Sequence, residues 1–280
     1  MTETVHLEFD GPAATLAEET SNAAGDGKTV GIETRASTVC ELAQEGQVYG
    51  SRAAPGVPTH RVRRSNGSGV NMSKSAKFWD KIAERYSKRP VADEVSYQKK
   101  LKITREYFRP DMEVLEFGCG TGSTAIVHAP YVKHIRAIDI SSKMIEIARR
   151  KAETAHIENI TFEKATIDDL CAHDHTLDAV LGLSILHLLE DKEAVIAKVH
   201  KMLKPGGVFV TSTPCLGDTQ SYLKWVLPIG RLLGIMPPVK IFTMKALEDS
   251  LTTSSVKLDC QWQPGKGKAV FIVAKKTERV

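Results

Sequence analysis

Three alternate glycines directly behind a short apolar run constrain this chain more than any other feature. Val114-Leu115-Glu116-Phe117 is short and apolar enough for a buried parallel strand, and Gly118-Cys119-Gly120-Thr121-Gly122 breaks it at once. Where a residue lacks a Cβ, the backbone can turn tightly and approach a ligand that any side chain would strike. Ser123 to Ala129 can then start a helix whose first amides point back toward the turn. Strand, glycine turn and helix in series describe a pocket of the nucleotide type.

The spacing decides which nucleotide. A dinucleotide fingerprint is G-x-G-x-x-G, and its last position here holds Ser123. Glu116, two residues before the first glycine, would repel a diphosphate and attract a cation. S-adenosylmethionine carries an ammonium and no phosphate. The run Glu116-Phe117-Gly118-Cys119-Gly120-Thr121-Gly122 resembles motif I of the class I S-adenosylmethionine-dependent methyltransferases, E/D-x-G-x-G-x-G. A second anchor follows. Ile135 to Ile140 reads as another buried strand ending in an acid, and Asp139 falls about 20 residues beyond Gly118, the spacing at which an acid accepts ribose hydroxyls. Ser141 can cap the helix over Lys143 to Thr154. The same residues resemble the family's D-x-S-x-x-M pattern, with Met144 against the adenine beside Ile140.

Further landmarks keep the family order. Ile160 to Ala165 reads as a third strand, and the turn beyond it in the family offers an Asp to the adenine amine. That position holds Thr166, a departure; its hydroxyl and the amide of Ile167 remain as adenine contacts. Leu177 to Leu183 is almost wholly apolar, hence a central strand, and leads into Ser184-Ile185-Leu186-His187 beside the transferred methyl. Leu183 borders the cofactor there. His187 is either a structural histidine or, where a base is needed, the candidate base. A helix over Glu193 to Leu203, the turn Lys204-Pro205-Gly206-Gly207 and a strand Val208 to Ser212 resemble the family's next elements. Val256 to Trp262 and Ala269 to Ala274, joined at Pro264-Gly265-Lys266-Gly267, read as a closing hairpin. The resemblance runs from about Trp79 to Pro214. It implies an α/β, Rossmann-like, doubly wound sheet of seven strands, mostly parallel, with an antiparallel C-terminal hairpin strand.

The first 71 residues differ from the rest. They are rich in Ala, Gly, Ser, Thr and Glu and show no sustained period, so they cannot bury enough apolar surface to offset ordering. They lack the basic start and apolar core of a secretory signal, and their acids argue against an organelle transit peptide. Asn66-Gly67-Ser68-Gly69 reads as a linker. The expected organisation is a dispensable extension over 1–71 and a methyltransferase domain over 72–280. Within that domain, Lys74 to Tyr86 and Val95 to Phe108 repeat apolar residues at helical spacing. Phe78, Trp79 and Tyr86 serve either ordinary packing or a lid over the cofactor. Residues 215–251 form an apolar insertion crowded with Tyr222, Trp225, Leu227, Leu232, Leu233 and Met236, more than one helix face needs. Its expected use is a lid over an apolar acceptor, with peripheral membrane contact as a second use.

These expectations converge on S-adenosylmethionine-dependent methyl transfer to a small apolar or aromatic acceptor, as in the quinone-methyltransferase branch. The reaction implied is direct in-line displacement, for which the protein aligns the reactants and excludes water. No metal is called for. The five cysteines lack paired metal spacing and read as free thiols of a cytoplasmic protein. Net charge of +4 demands no nucleic acid partner, and no obligate protein partner is evident. No apolar run reaches the roughly 18 residues that span a bilayer. Two rivals stay open. A nucleic acid methyltransferase usually places (N/D/S)-P-P-(Y/F/W) where this chain has Leu183-Ser184-Ile185-Leu186. A non-catalytic nucleotide-binding module of the same fold is the other.

Overall fold

A run of apolar residues buried on both faces needs cover on both faces, and that need shapes the molecule. The computed structural model describes residues 68–170, 174–218, 239–254 and 256–277. Two helices come first, α1 (Ser68–Ser87) and α2 (Glu94–Arg105). Then β1 (Glu113–Phe117), α3 (Ser123–His128), β2 (His134–Asp139), α4 (Ser142–Thr154) and β3 (Ile160–Lys164) alternate. β4 (Leu177–Leu183), α5 (Lys192–Met202) and β5 (Leu203–Thr213) continue the pattern. α6 (Met244–Thr253), β6 (Val256–Trp262) and β7 (Val270–Lys276) follow.

The strands form one seven-stranded sheet in the order β3–β2–β1–β4–β5–β7–β6. Every pair from β3 to β5 is parallel, whereas β7 is antiparallel to both β5 and β6. This is the mixed, doubly wound sheet expected from the sequence. The Lys204–Gly207 turn is drawn into the start of β5, where the β4–β5 register shifts between Leu177 and Ala179.

Side chains alternate across the strands, so two cores result. On one face Val114, Ile135, Leu181, Val210 and Val273 meet Ile126 of α3 and Ile145 and Ala148 of α4. On the other, Leu115, Phe117, Val180, Phe209 and Ile272 meet Val195 and Val199 of α5 and Leu247 and Leu251 of α6. The edge strand β6 alternates buried or half-buried with exposed residues, as a strand covered on one face should.

Two boundaries differ from expectation. α1 starts at Ser68, so the Ser68-Gly69 half of the expected linker is helical. A helix propagates cheaply once nucleated, and this one is held by docking further along. The rest of the expected extension, 1–67, lies outside the described residues. Of the expected 215–251 insertion, 219–238 also lies outside them. Its last part is core, since Leu247 and Leu251 of α6 are wholly buried. Among the described residues no helix is long and apolar enough to cross a membrane.

Candidate functional site

The strand order turns back between β1 and β4, and a crevice opens beyond their carboxyl ends. A cavity of about 410 Å³ lies there. Its floor is Phe117 and Gly118 after β1, Asp139 and Ile140 after β2, and Leu183 and Ser184 after β4. Thr166, Ile167 and Asp168 from the β3 turn close one end, and α1 supplies a wall of Ser75, Trp79 and Tyr86.

The glycine turn is left-handed at Gly118, Gly120 and Gly122, with φ of 66°, 54° and 75°. Two of these positions do different work. A Cβ on Gly122 would stand 2.7 Å from Ala148 Cβ and 2.8 Å from the Phe162 ring, so glycine there lets the turn pack on α4 and β3. A Cβ on Gly120 would meet nothing within 4 Å, and Gly120 lines the cavity. Glycine at that position leaves open space beside a backbone amide, which is what a close-lying ligand requires.

Asp139 ties the turn to the next helix. Its Oδ2 accepts the Gly120 amide at 2.9 Å and its Oδ1 accepts the Ser141 amide at 2.8 Å. Burial raises the Asp139 pKa, those two amides pull it down, and the nearby Asp80 carboxylate raises it further; the net direction is upward. Ser141 caps α4 as expected, its hydroxyl accepting the Met144 amide at 3.1 Å. Glu116 stands behind the turn, 3% exposed, and its Oε2 has no hydrogen-bond partner among the described residues. Burial, and secondarily the charge of Asp139, pushes its pKa up to about 8. Around the cavity the described lining carries Asp139, Asp168, Glu190 and Asp191, and no Lys, Arg or His.

The expected site residues divide into two groups. Gly118, Gly120, Asp139, Ile140, Met144, Thr166, Ile167 and Leu183 all reach the lining. Glu116, Cys119, Thr121 and Gly122 stand behind it and build the turn. The Cys119 thiol donates to the Gly120 carbonyl at 3.8 Å, and Thr121 Oγ1 accepts from Lys151 at 3.1 Å. Thr166 is already engaged: its hydroxyl donates to Asp169 Oδ2 at 2.8 Å and accepts the Asp169 amide at 3.1 Å, which leaves one lone pair.

Residues 114–207 match a family described as a methyltransferase domain, a span running from β1 to the Lys204–Gly207 turn. Residues 114–207 therefore form a methyltransferase domain, whose cofactor is S-adenosylmethionine. Its relatives include the uncharacterized methyltransferase YcgJ of Bacillus subtilis, 29% identical over 39% of this chain and 44% of that protein. The demethylmenaquinone methyltransferase of Tropheryma whipplei is 31% identical over 49% of this chain and 59% of its own length. The tRNA 5-carboxymethoxyuridine methyltransferase of Escherichia coli is 28% identical over 46% and 53%. The chain thus spans about half the length of these curated relatives. The crystal structure of YcgJ superimposes with a TM-score of 0.54 at 17% identity, covering 65% of this chain and all of that one, and so shares its fold.

The methyltransferase domain's own geometry accommodates that cofactor. An unpartnered, buried carboxylate oxygen on Glu116 suits an ammonium, and the space over Gly120 admits a ligand against the backbone. His187, in contrast, is not part of the lining. It sits in a 3-10 turn, Leu186–Leu188, in which Leu186 is wholly buried and Leu188 faces the cavity. Three residues per turn send the intervening side chain elsewhere. Burial pushes the His187 pKa down to about 4, and its Nδ1 is buried without a partner among the described residues. Sequence reasoning missed Ser75 and Asp168 and gave Ser184, placed beside the transferred methyl, no role of its own. Ser184 carried a usable signal, since it follows the central strand directly. It holds a left-handed φ of 55°, a strained conformation of the kind that gathers at ligand sites.

Proposed function

We propose that this protein transfers the methyl group of S-adenosylmethionine to a small, neutral, largely apolar acceptor. The observation that carries the reading is the unpartnered Glu116 oxygen beneath a turn whose described cavity lining holds carboxylates and no basic side chain. Such a site attracts an ammonium or sulfonium and repels a diphosphate. When bound, S-adenosylmethionine supplies a methyl group already attached to a good leaving group. Asp139 takes the ribose hydroxyls, for each carboxylate oxygen keeps a lone pair after binding its amide. Met144 and Ile140 flank the adenine, while the remaining lone pair of Thr166 and the amide of Ile167 read its edge. Glu116, behind the turn, gives up its proton and becomes the counter-charge to the ammonium, and Leu183 keeps the reacting end dry.

The acceptor assignment rests on the other walls. Trp79, Ile185, Leu188, Leu189 and Val195 give an apolar surface, and the described lining offers no Lys, Arg or His to grip a phosphate. The relatives named above act on acceptors as different as a quinone precursor and a tRNA, so kinship alone does not choose between them. The absence of basic side chains from the described lining favours the small molecule. Titration calorimetry tests the cofactor. S-adenosylmethionine should bind 1:1, and Asp139→Ala should weaken it at least tenfold. Tight NADH binding with no heat from S-adenosylmethionine would sink the assignment.

A further inference from the structure

Asp80 lies on α1, far in sequence from the glycine turn, yet its carboxylate is the hub that joins α1 to the cofactor site. Its Oδ1 accepts the Ser141 hydroxyl at 2.6 Å and the Lys143 amide at 3.0 Å, with the Ser142 hydroxyl at 3.4 Å. The Lys143 amide is one of the four at the start of α4 that have no partner inside the helix. Asp80 therefore caps α4 from a neighbouring helix, and its negative charge suits the helix N-terminus. Ser141 supplies the other half of the connection. Its single hydroxyl proton goes to Asp80, a lone pair takes the Met144 amide, and its own amide goes to Asp139. A chain of hydrogen bonds runs from Asp80 through Ser141 to Asp139 and on to Gly120.

We infer that Asp80 is a positioning residue for Asp139, acting through Ser141, so that the docking of α1 sets the affinity of the cofactor site. The inference rests on the reading of Asp139 as the cofactor's ribose acid. With both oxygens of Asp139 held by amides, the carboxylate has one orientation, and that orientation is only as firm as the residue donating the second amide. Ser141 has no other acceptor for its hydroxyl proton among the described residues. Loss of Asp80 removes the acceptor that holds both the Ser141 hydroxyl and the Lys143 amide at the start of α4, and the Ser141 backbone amide that donates to Asp139 Oδ1 is then held less firmly. α1 has two further ties to α4: Trp79 and Ala83 pack on Met144 and Ile147, and Glu84 pairs with Arg150 at 3.2 Å. The second is solvent-exposed and worth little. Asp80 is thus the polar bond through which the wall carrying Trp79 and Tyr86 meets the acid at the cavity floor.

Calorimetry with S-adenosylhomocysteine on the full chain tests this, using Asp80→Ala, Asp80→Asn and both in an Asp139→Asn background. Asp80→Ala should weaken binding about tenfold, and Asp80→Asn, which keeps an acceptor oxygen for Ser141, should stay within about threefold of the unaltered protein. In the Asp139→Asn background, Asp80→Ala should cost much less, because coupled residues are not additive. In ligand-free protein, hydrogen exchange at the Ser141 and Gly120 amides should quicken in Asp80→Ala. An equal loss of affinity in both backgrounds would mean that Asp80 acts independently of Asp139, and the inference would fall. It would fall too if Asp80→Ala bound S-adenosylhomocysteine as tightly as the unaltered protein. If the unaltered protein bound no S-adenosylhomocysteine, the reading of the site itself would fail, and this inference with it.

Discussion

Glu116 is the residue at which sequence and structure say most about each other. Motif spacing placed an acid before the first glycine, facing a cation; the structure buries that acid and leaves one oxygen without a partner among the described residues. With its pKa pushed up to about 8 from an ordinary 4.5, the folded, ligand-free protein holds a proton there that the unfolded chain releases. The native state therefore binds more protons across that window, and stability falls as pH rises through it, by about 1.4 kcal/mol per pH unit. Glu116→Gln removes the titration. In urea melts from pH 5 to pH 8 the ligand-free variant should lose less stability with rising pH than the parent, and parallel curves would refute the buried-proton account. His187 shows the opposite limit. Its position in the chain was legible, but the direction of its side chain depends on a 3-10 turn that no periodicity announced.

At the scale of elements, the glycine turn is a joint between β1, α4 and β3, and its glycines are not equivalent. Gly122 is sealed against Ala148 and Phe162, whereas Gly120 faces open space. Gly122→Ala should therefore destabilise the fold by about 2–4 kcal/mol, from overpacking added to a left-handed backbone. Gly120→Ala bears only the backbone cost of about 1–2 kcal/mol, but its methyl enters the cavity and should weaken S-adenosylmethionine binding. Urea denaturation and calorimetry on the two variants separate these effects; equal stability losses would undo the distinction. The central strands were legible because β1, β4 and the end of β5 are short, largely apolar runs bounded by turns. β4 is the clearest, buried along its middle five residues. The docking of α1 was not. Its aromatic face could be read from helical spacing, but the partner of Asp80 is Ser141, and nothing local in sequence joins residues so far apart.

For the whole molecule, the question is where its charge and apolar surface go. The chain carries a net charge of +4, yet the described lining of its cavity includes no Lys or Arg. A polyanion would meet carboxylates at Asp139, Asp168 and Asp191 instead of phosphate-binding cations, and a nucleic acid substrate needs the reverse. An apolar acceptor would gain about 25 cal/mol for each Å² removed from water against Trp79, Leu188, Leu189 and Val195. The sequence between 219 and 238, outside the described residues, adds Trp225, Leu227, Leu232 and Leu233 in the connection after β5. If that stretch covers the acceptor, Leu232→Gln should raise KM for a lipophilic phenol severalfold while leaving S-adenosylmethionine affinity and melting temperature nearly unchanged. If it is ordinary core, the same substitution should lower the melting temperature first. Steady-state kinetics beside a thermal melt decide between the two, with unmodified tRNA as the competing acceptor. Robust methylation of the tRNA, weakened by salt and indifferent to Leu232→Gln, would overturn the small-molecule reading, because it would require a basic surface that the described cavity does not have.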